Sequence, residues 1–254
     1  MILDSFKLDG KVALVTGAAQ GLGQGMALAL AEAGADIASL DRVGCEGTCE
    51  AVRALDRKYC ESVVDLRAAS VEDLKAVVAR IVDEMGHIDI LVNNAGTIRR
   101  TPAVDFSETD WDDVLQINLK AAFFLAQAVG RVMIAQGSGK IINTVSMLSF
   151  QGGITVPSYT ASKSGLAGLT RALANEWAKH NINVNAIAPG YMATDNTAAL
   201  RADPARSTSI LDRIPAGRWG TPDDLRGAVI FLASSASDYV NGAIIPVDGG
   251  WLAR

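Results

Sequence analysis

Histidine is nearly absent, with two in 254 residues, and cysteine is scarce and odd in number: Cys45, Cys49 and Cys60. Cys45 and Cys49 have no matching second pair, which argues against a zinc site, and no metal is expected. Three thiols do not make a disulfide framework. They read as reduced and partly buried, which predicts a cytoplasmic protein. Aromatic residues make up 6% of the chain and the net charge is -5. No basic tract interleaves with aromatics, which argues against nucleic acid as a partner. The apolar runs, AAFFLAQAV among them, read as too short to span a bilayer, so no membrane partner is expected. The opening MILDSFKLDGK mixes charged and apolar residues and does not resemble a signal peptide.

What is present alternates. KVALVT (11–16) is a short, valine-rich apolar run that reads as a buried strand. Glycines follow, then QGMALALAEAGA, which reads as a helix ending near Gly34. DIASLD (36–41) and ESVVDL (61–66) read as the second and third strands. Ser70 and Asp73 have the spacing of a capping box, opening the helix VEDLKAVVARIVDEMG that stops at Gly86. Strand IDILVN, helix DDVLQINLKAAFFLAQAVGRVMIAQ, strand KIINTVS, helix ASKSGLAGLTRALANEWAKH, strand INVNAIA, helix PDDLRGAVIFLAS and a strand near AIIPVD complete the chain. Such alternation predicts βαβ units with right-handed crossovers, hence helices on both faces of a parallel sheet. No break in composition divides it. The expected architecture is α/β, a single domain over 1–254, with an irregular segment at about 190–218.

Gly17, Gly21 and Gly23 lie between the first strand and the first helix, in TGAAQGLG. Glycines there let the backbone turn sharply and approach a pyrophosphate, and the helix N-terminus supplies N–H groups and positive dipole. A glycine triplet alone makes ordinary turns; its place after the first strand makes it a dinucleotide motif. Gln20 and Leu22 belong to the same turn. Asp41 ends the second strand, near the spacing at which a carboxylate meets the adenosine ribose; otherwise it is a turn or capping aspartate. A carboxylate there repels a 2′-phosphate, so NAD(H) is expected over NADP(H). Arg42 pulls the other way, and Gln20 leans back toward NAD(H).

Tyr159 and Lys163 are four apart, so on a helix they share a face. Ser146 lies at the end of KIINTVS, and Asn118 lies inside the preceding helix. A Tyr-x-x-x-Lys pair is ordinarily surface packing. Together with TGAAQGLG, NNAG and the Pro-Gly at 189–190, however, these residues resemble the short-chain dehydrogenase/reductase family over essentially the whole chain. The resemblance implies a Rossmann-type doubly wound sheet of about seven parallel strands and a tetrad of Asn118, Ser146, Tyr159 and Lys163. It implies that Asp65, with Leu66, meets the adenine. Asn93, Ala95 and Gly96 would floor the cofactor site, and Pro189, Gly190 and Thr194 would border the carboxamide or phosphates. The residue types suit hydride transfer at a carbinol carbon. A phenol has an unperturbed pKa near 10 and is a poor base at neutral pH, and an ammonium beside it favours the phenolate. Lys163 is expected to supply that charge and to bind the nicotinamide ribose, Ser146 to hold the substrate oxygen, and Asn118 to anchor a water that relays protons.

Within the family, NNAGTIRR, SMLSFQGGITVPSYTASKSG and SSASDYVNGAIIPVDGGWLAR are similar to members that act on sugar acids. The resemblance implies a keto-deoxyuronate or diketo sugar acid interconverted with 2-dehydro-3-deoxy-D-gluconate, as in pectin or alginate degradation. Such a substrate carries a carboxylate, which bears on Arg99 and Arg100. They follow the fourth strand at the mouth of the expected crevice. In an extended stretch adjacent side chains point opposite ways, so one arginine can face the pocket, where its planar fork suits a carboxylate. The other reading pairs them with Asp105, Glu108 or Asp112. Gln151, Tyr191 and Met192 are further substrate candidates, from their places after the fifth and sixth strands.

The rivals are a gluconate 5-dehydrogenase or a ketoacyl reductase of the same family, and a non-catalytic NAD-binding regulator on the same fold. The acidic balance and Asp41 disfavour the reductase, and the intact tetrad disfavours the regulator. The apolar surface of the long helices and the tail VDGGWLAR predict a homotetramer.

Overall fold

The structure, a computed structural model, describes residues 1–254. Its centre is a seven-stranded, wholly parallel sheet in the order β3-β2-β1-β4-β5-β6-β7. The strands are β1 (Val12–Thr16), β2 (Asp36–Asp41), β3 (Tyr59–Val63), β4 (Ile90–Asn93), β5 (Gly139–Thr144), β6 (Ile182–Pro189) and β7 (Ile244–Val247). Every residue of β1 and β6 is buried. Continuous apolar runs are what a parallel sheet covered on both faces requires.

Residue alternation along the strands divides the core into two layers. Leu14, Ala38, Leu40, Leu91 and Ile141 pack on one face, against α3 (Val71–Met85) and α5 (Ala122–Gln136). Ala13, Val15, Ile37, Ile90, Val92 and Ile142 pack on the other, against α1 (Gly21–Glu32) and α9 (Arg226–Ala233). Truncating any of the larger ones to alanine would cost about 2–5 kcal/mol. The strand order reverses between β1 and β4, and the carboxyl ends of these two strands open the ligand crevice.

Some sequence expectations shift. The third strand begins at Tyr59 and ends at Val63, so Asp65 lies in the turn beyond it. A short helix, α2 (Glu46–Arg53), lies between β2 and β3, where no element was expected from the pattern. The segment 190–218 carries α7 (Ala198–Ala202) and α8 (Pro204–Leu211). The fourth crossover helix starts earlier than predicted: Ser107 caps α4 (Glu108–Leu115), a π-helical segment spans Gln116–Ala121, and α5 follows without a break. This 29-residue stretch is long and apolar enough to cross a membrane, contrary to the reading from its short runs. Half of its apolar part is buried inside the domain, where it packs on α3 and on α6 (Pro157–Trp177) as a core helix.

Candidate active site

The crevice is knitted at the ends of β1 and β4. The Thr16 hydroxyl accepts hydrogen bonds from the backbone N–H of Asn94 and of Ala95, both at 2.9 Å. The Asn94 amide returns one to the Thr16 carbonyl at 3.0 Å. This close approach explains two glycines. Gly17 has φ +68°, and a Cβ there would meet the Asn94 amide at 2.9 Å. A Cβ on Gly23 would collide with the Gly17 carbonyl and the Asn94 amide. Thr16 and Asn94 were not singled out from the sequence, although Asn94 sits inside the quoted NNAG. Asn93 was singled out, and its side chain turns away from the crevice. It donates to the Ala122 carbonyl at 3.1 Å and to Asn143 at 3.0 Å, inside the core. Only its backbone remains for a cofactor.

The N-terminus of α1 is open. Gln20 occupies the N-cap without a side-chain bond to the first turn, so the N–H groups around Gly21, Leu22 and Gly23 are left for an anion. The Gln20 amide instead donates to Asp195 at 2.9 Å, across the crevice. Asp41 accepts from Ala19 N–H at 2.9 Å and from Arg42 N–H at 2.7 Å, which fixes its carboxylate beside the glycine turn. Asp65 is exposed and accepts from Arg67 N–H; Leu66 packs into the core and leaves only its backbone free. Thr194 lies against Gly21, its methyl 3.8 Å from where a Gly21 Cβ would stand. Pro189 ends β6, and Gly190 passes so close to Asp248 that a Cβ would not fit. A bare helix N-terminus, a glycine cradle and a carboxylate at the end of β2 fit a nicotinamide dinucleotide. No cluster of three His, Cys, Asp or Glu could hold a metal ion.

The four remaining candidates gather at the ends of β4 and β5. Ser146 caps a single 3-10 turn after β5 (Met147–Ser149), its hydroxyl accepting from Leu148 N–H at 3.1 Å. Ser149 ties that turn to α6 by donating to the Lys163 carbonyl at 2.8 Å. Tyr159 and Lys163 project from the first turns of α6, with the Lys163 Nζ 5.8 Å from the Tyr159 ring centroid. The ammonium is buried and donates to the Thr144 carbonyl at 2.6 Å. Asn118 lies in the π-helical segment, a distortion that recurs at functional sites. Its amide brackets Thr97, accepting from Thr97 N–H at 2.8 Å and donating to Thr97 C=O at 2.9 Å, and it also reaches Ser162 at 3.2 Å. A Cβ on Gly96 would stand 3.3 Å from Asn118 Oδ1 and 3.6 Å from Lys163 Nζ, so these groups share the space that glycine leaves.

Burial raises the Tyr159 pKa, and the Ser146 hydroxyl and the Arg100 guanidinium draw it back. Burial lowers Lys163 to about 8, so its own charge is half lost at mildly alkaline pH.

The two adjacent arginines separate. Arg99 is committed to helix acids, its Nε donating to Asp110 at 3.1 Å and its Nη2 standing 3.7 Å from Asp113. These are not the acids expected, although they lie on the expected helix. Arg100 lies near enough to the phenol to act on its pKa, and donates to the Asn196 carbonyl at 3.1 Å. Met192 is buried among core residues beneath Gly220, and it borders a cavity with Tyr191, Gly190 and Arg218. Tyr191 stacks edge-on against Trp219 and Trp251 at 5.6 and 4.8 Å, in a small cluster with Met147 and Ile210. Gln151 is held by Arg213 at 3.3 Å.

Known proteins match this chain along its length. Residues 17–252 match the family described as enoyl-(acyl carrier protein) reductase. The chain is 65% identical over 255 residues to 2-dehydro-3-deoxy-D-gluconate 5-dehydrogenase of Escherichia coli (strain K12), covering all of both chains. A solved structure from Agrobacterium tumefaciens, described as a 2-deoxy-D-gluconate 3-dehydrogenase with bound NADP, is 54% identical with a TM-score of 0.92, covering 98% of this chain and 99% of that one. A gluconate 5-dehydrogenase from Burkholderia cenocepacia, in complex with NADP and tartrate, is 42% identical with a TM-score of 0.95, covering all of both.

Proposed function

Because the chain belongs to the short-chain dehydrogenase/reductase family, we propose that it interconverts a keto-deoxyuronate or diketo sugar acid with 2-dehydro-3-deoxy-D-gluconate, in pectin or alginate degradation, using NAD(H). It is an oxidoreductase of sugar acids that uses a nicotinamide cofactor and acts on a CH–OH group. The observation that carries the finer reading is Arg100, which follows β4 at the crevice mouth and, unlike Arg99, is paired with no acid, donating only to the Asn196 carbonyl. A guanidinium free of acids there suits a substrate carboxylate.

The dinucleotide would rest on Gly17, Gly21 and Gly23, with Asp41 toward the adenosine ribose, Asp65 and Leu66 toward the adenine, and Ala95, Gly96, Gly190 and Thr194 toward the nicotinamide side. When bound, the nicotinamide supplies or accepts the hydride. In the reducing direction the Tyr159 hydroxyl gives its proton to the carbonyl oxygen, which the Ser146 hydroxyl holds. Lys163 and Asn118, which share the space at Gly96, return a proton to the phenol through water. The expected preference for NADH rests on Asp41, whose carboxylate is held by Ala19 N–H and would oppose a 2′-phosphate. NADP stands in the names of similar solved structures, which makes NADPH the comparison to run.

A second reading, gluconate 5-dehydrogenase, is favoured by the structure that carries tartrate, a dicarboxylic acid. Both readings need the carboxylate. The test compares a keto acid with its methyl ester in wild type and in Arg100→Ala. Wild type is expected to favour the acid by roughly tenfold in kcat/KM, and the variant to lose that preference. Equal loss on acid and ester would remove Arg100 from carboxylate recognition.

The three free thiols suit a cytoplasmic protein. Trp111 and Ile134, exposed on the α4–α5 face, suit a homotetramer. A sedimenting monomer at micromolar concentration would refute that assembly.

A further inference from the structure

Asp113 is a carboxylate that the reaction does not use, and it is buried. Each of its oxygens faces a different guanidinium. Oδ1 accepts from Arg67 Nε at 2.6 Å, and Oδ2 stands 3.7 Å from Arg99 Nη2. A buried carboxylate is expensive unless paired, so this geometry is strongly specified. The two arginines lead to opposite ends of the crevice. Arg67 is next to Leu66 and closes the Asp65 turn, its N–H bonded to the Asp65 carboxylate at 2.9 Å. Arg99 donates from Nη1 to the Thr97 hydroxyl at 3.0 Å. Thr97 offers both its backbone N–H and its carbonyl to the amide of Asn118. From Asn118 the chain runs on to Ser162, which donates to the Tyr159 carbonyl at 2.8 Å.

The geometry points to Arg99 and Asp113 as a positioning pair: it sets Thr97 and so the orientation of Asn118, and through Arg67 it couples this orientation to the turn at the adenine end. Arg99 then serves the proton path and not the substrate carboxylate, which divides the labour of the two adjacent arginines. The inference rests on the reading of Asn118 as a relay residue. Asn118 engages Thr97 through both its amide oxygen and its amide nitrogen, the nitrogen also reaching Ser162, so a shift of Thr97 moves the amide against its Ser162 partner. Displacements of this size reach catalysis without touching substrate.

The experiment compares Arg99→Ala, Arg99→Lys, Asp113→Asn and Asn118→Ala with wild type, using the keto acid that wild type turns over best and recording kcat, both KM values and the pH profile of kcat. Arg99→Ala is expected to lower kcat by roughly tenfold to a hundredfold, to displace the pH profile and to leave the keto-acid KM within about twofold. Arg99→Lys, which keeps the charge against Asp110, restores part of kcat. Asp113→Asn, nearly isosteric, lowers kcat and also raises the KM for NADH. A raised keto-acid KM with unchanged kcat in Arg99→Ala would show that Arg99 grips substrate and overturn the proposal. So would a fall in kcat with an unmoved pH profile and no recovery in Arg99→Lys. Full kcat in Asn118→Ala would remove the relay reading beneath it; an impaired Asn118→Ala beside a normal Arg99→Ala would remove the positioning pair alone.

Discussion

The half of the crevice proposed for the nucleotide and the half proposed for the substrate are built by different means. On the first, β1, β2 and β4 deliver Gly17, Asp41 and Ala95 at strand ends, and backbone N–H groups are tied there by the short side chains of Asp41 and Thr16. On the substrate side, Arg100, Gln151 and Tyr191 come from loops and are held by long side chains reaching across space: Arg100 to Asn196, Gln151 to Arg213, Tyr191 to two tryptophans. Where the backbone makes the site, strand and turn patterns reveal it. Where side chains meet across loops, only the folded chain does.

The largest effect that follows concerns the residue where the halves meet. Tyr159→Phe is expected to lower kcat by roughly 10²–10⁴-fold with dinucleotide affinity retained, measured by quenching of protein fluorescence. Near-normal turnover would remove Tyr159 from the chemistry. The nucleotide half breaks by adding one atom. Gly23→Ala places a Cβ against the Gly17 carbonyl, so dinucleotide affinity is expected to fall by more than about tenfold, seen by calorimetry, with the keto-acid contacts untouched. An unaltered affinity would mean that the turn has room to spare.

Lys163 gives a smaller effect with a defined sign. Its folded pKa of about 8 lies below the 10.5 of a free lysine, so the unfolded chain binds more protons between those values. The Lys163 contribution therefore rises with pH across that window, and is lost as pH falls through 8. Between pH 8 and 10 it amounts to about 2 kcal/mol. The Cys60 thiol, pushed up to about 11 by burial, and the Cys45 thiol, also raised, oppose it within this window, and Tyr159 opposes it at higher pH, because in each case the unfolded group ionises first. Urea titrations of Lys163→Met should lack the slope; an identical slope in the variant would place its origin elsewhere. The smallest effect is on cofactor choice. Asp41→Ala is expected to shift the NADPH-to-NADH ratio of kcat/KM toward NADPH by about tenfold, leaving Arg42 in place.

Legibility follows the same division. β2 is found where DIASLD places it, and Ser70 caps α3 as its spacing implies. β3 slides because ESVVDL is no more apolar than YCESV, and its last residue, Val63, is exposed at the sheet edge. α2 escapes notice because EGTCEAVR buries only Thr48 and Val52, too few for a periodic stripe. α8 carried the legible signals of Asp203 at the N-cap and Pro204 at the first position, which the irregular surroundings masked. Which asparagine of the motif turns its side chain to the crevice is not legible from residue types, because the pleat sends Asn93 into the core and Asn94 toward Thr16. For Arg99 and Arg100 the alternation of an extended chain predicted that they would diverge. Which one was left without an acid depended on Asp110 and Asp113, two helix acids whose facing only the packing of α4 determines.

The most direct test of the account is a side-by-side NADH-oxidation assay against 5-keto-4-deoxyuronate, its alginate-derived counterpart, 5-ketogluconate and an acetoacetyl thioester. The account predicts the highest kcat/KM for one of the two deoxyuronate-derived acids and no useful turnover of the thioester. A thioester reduced as fast as the sugar acids, or no turnover of any sugar acid, would contradict it.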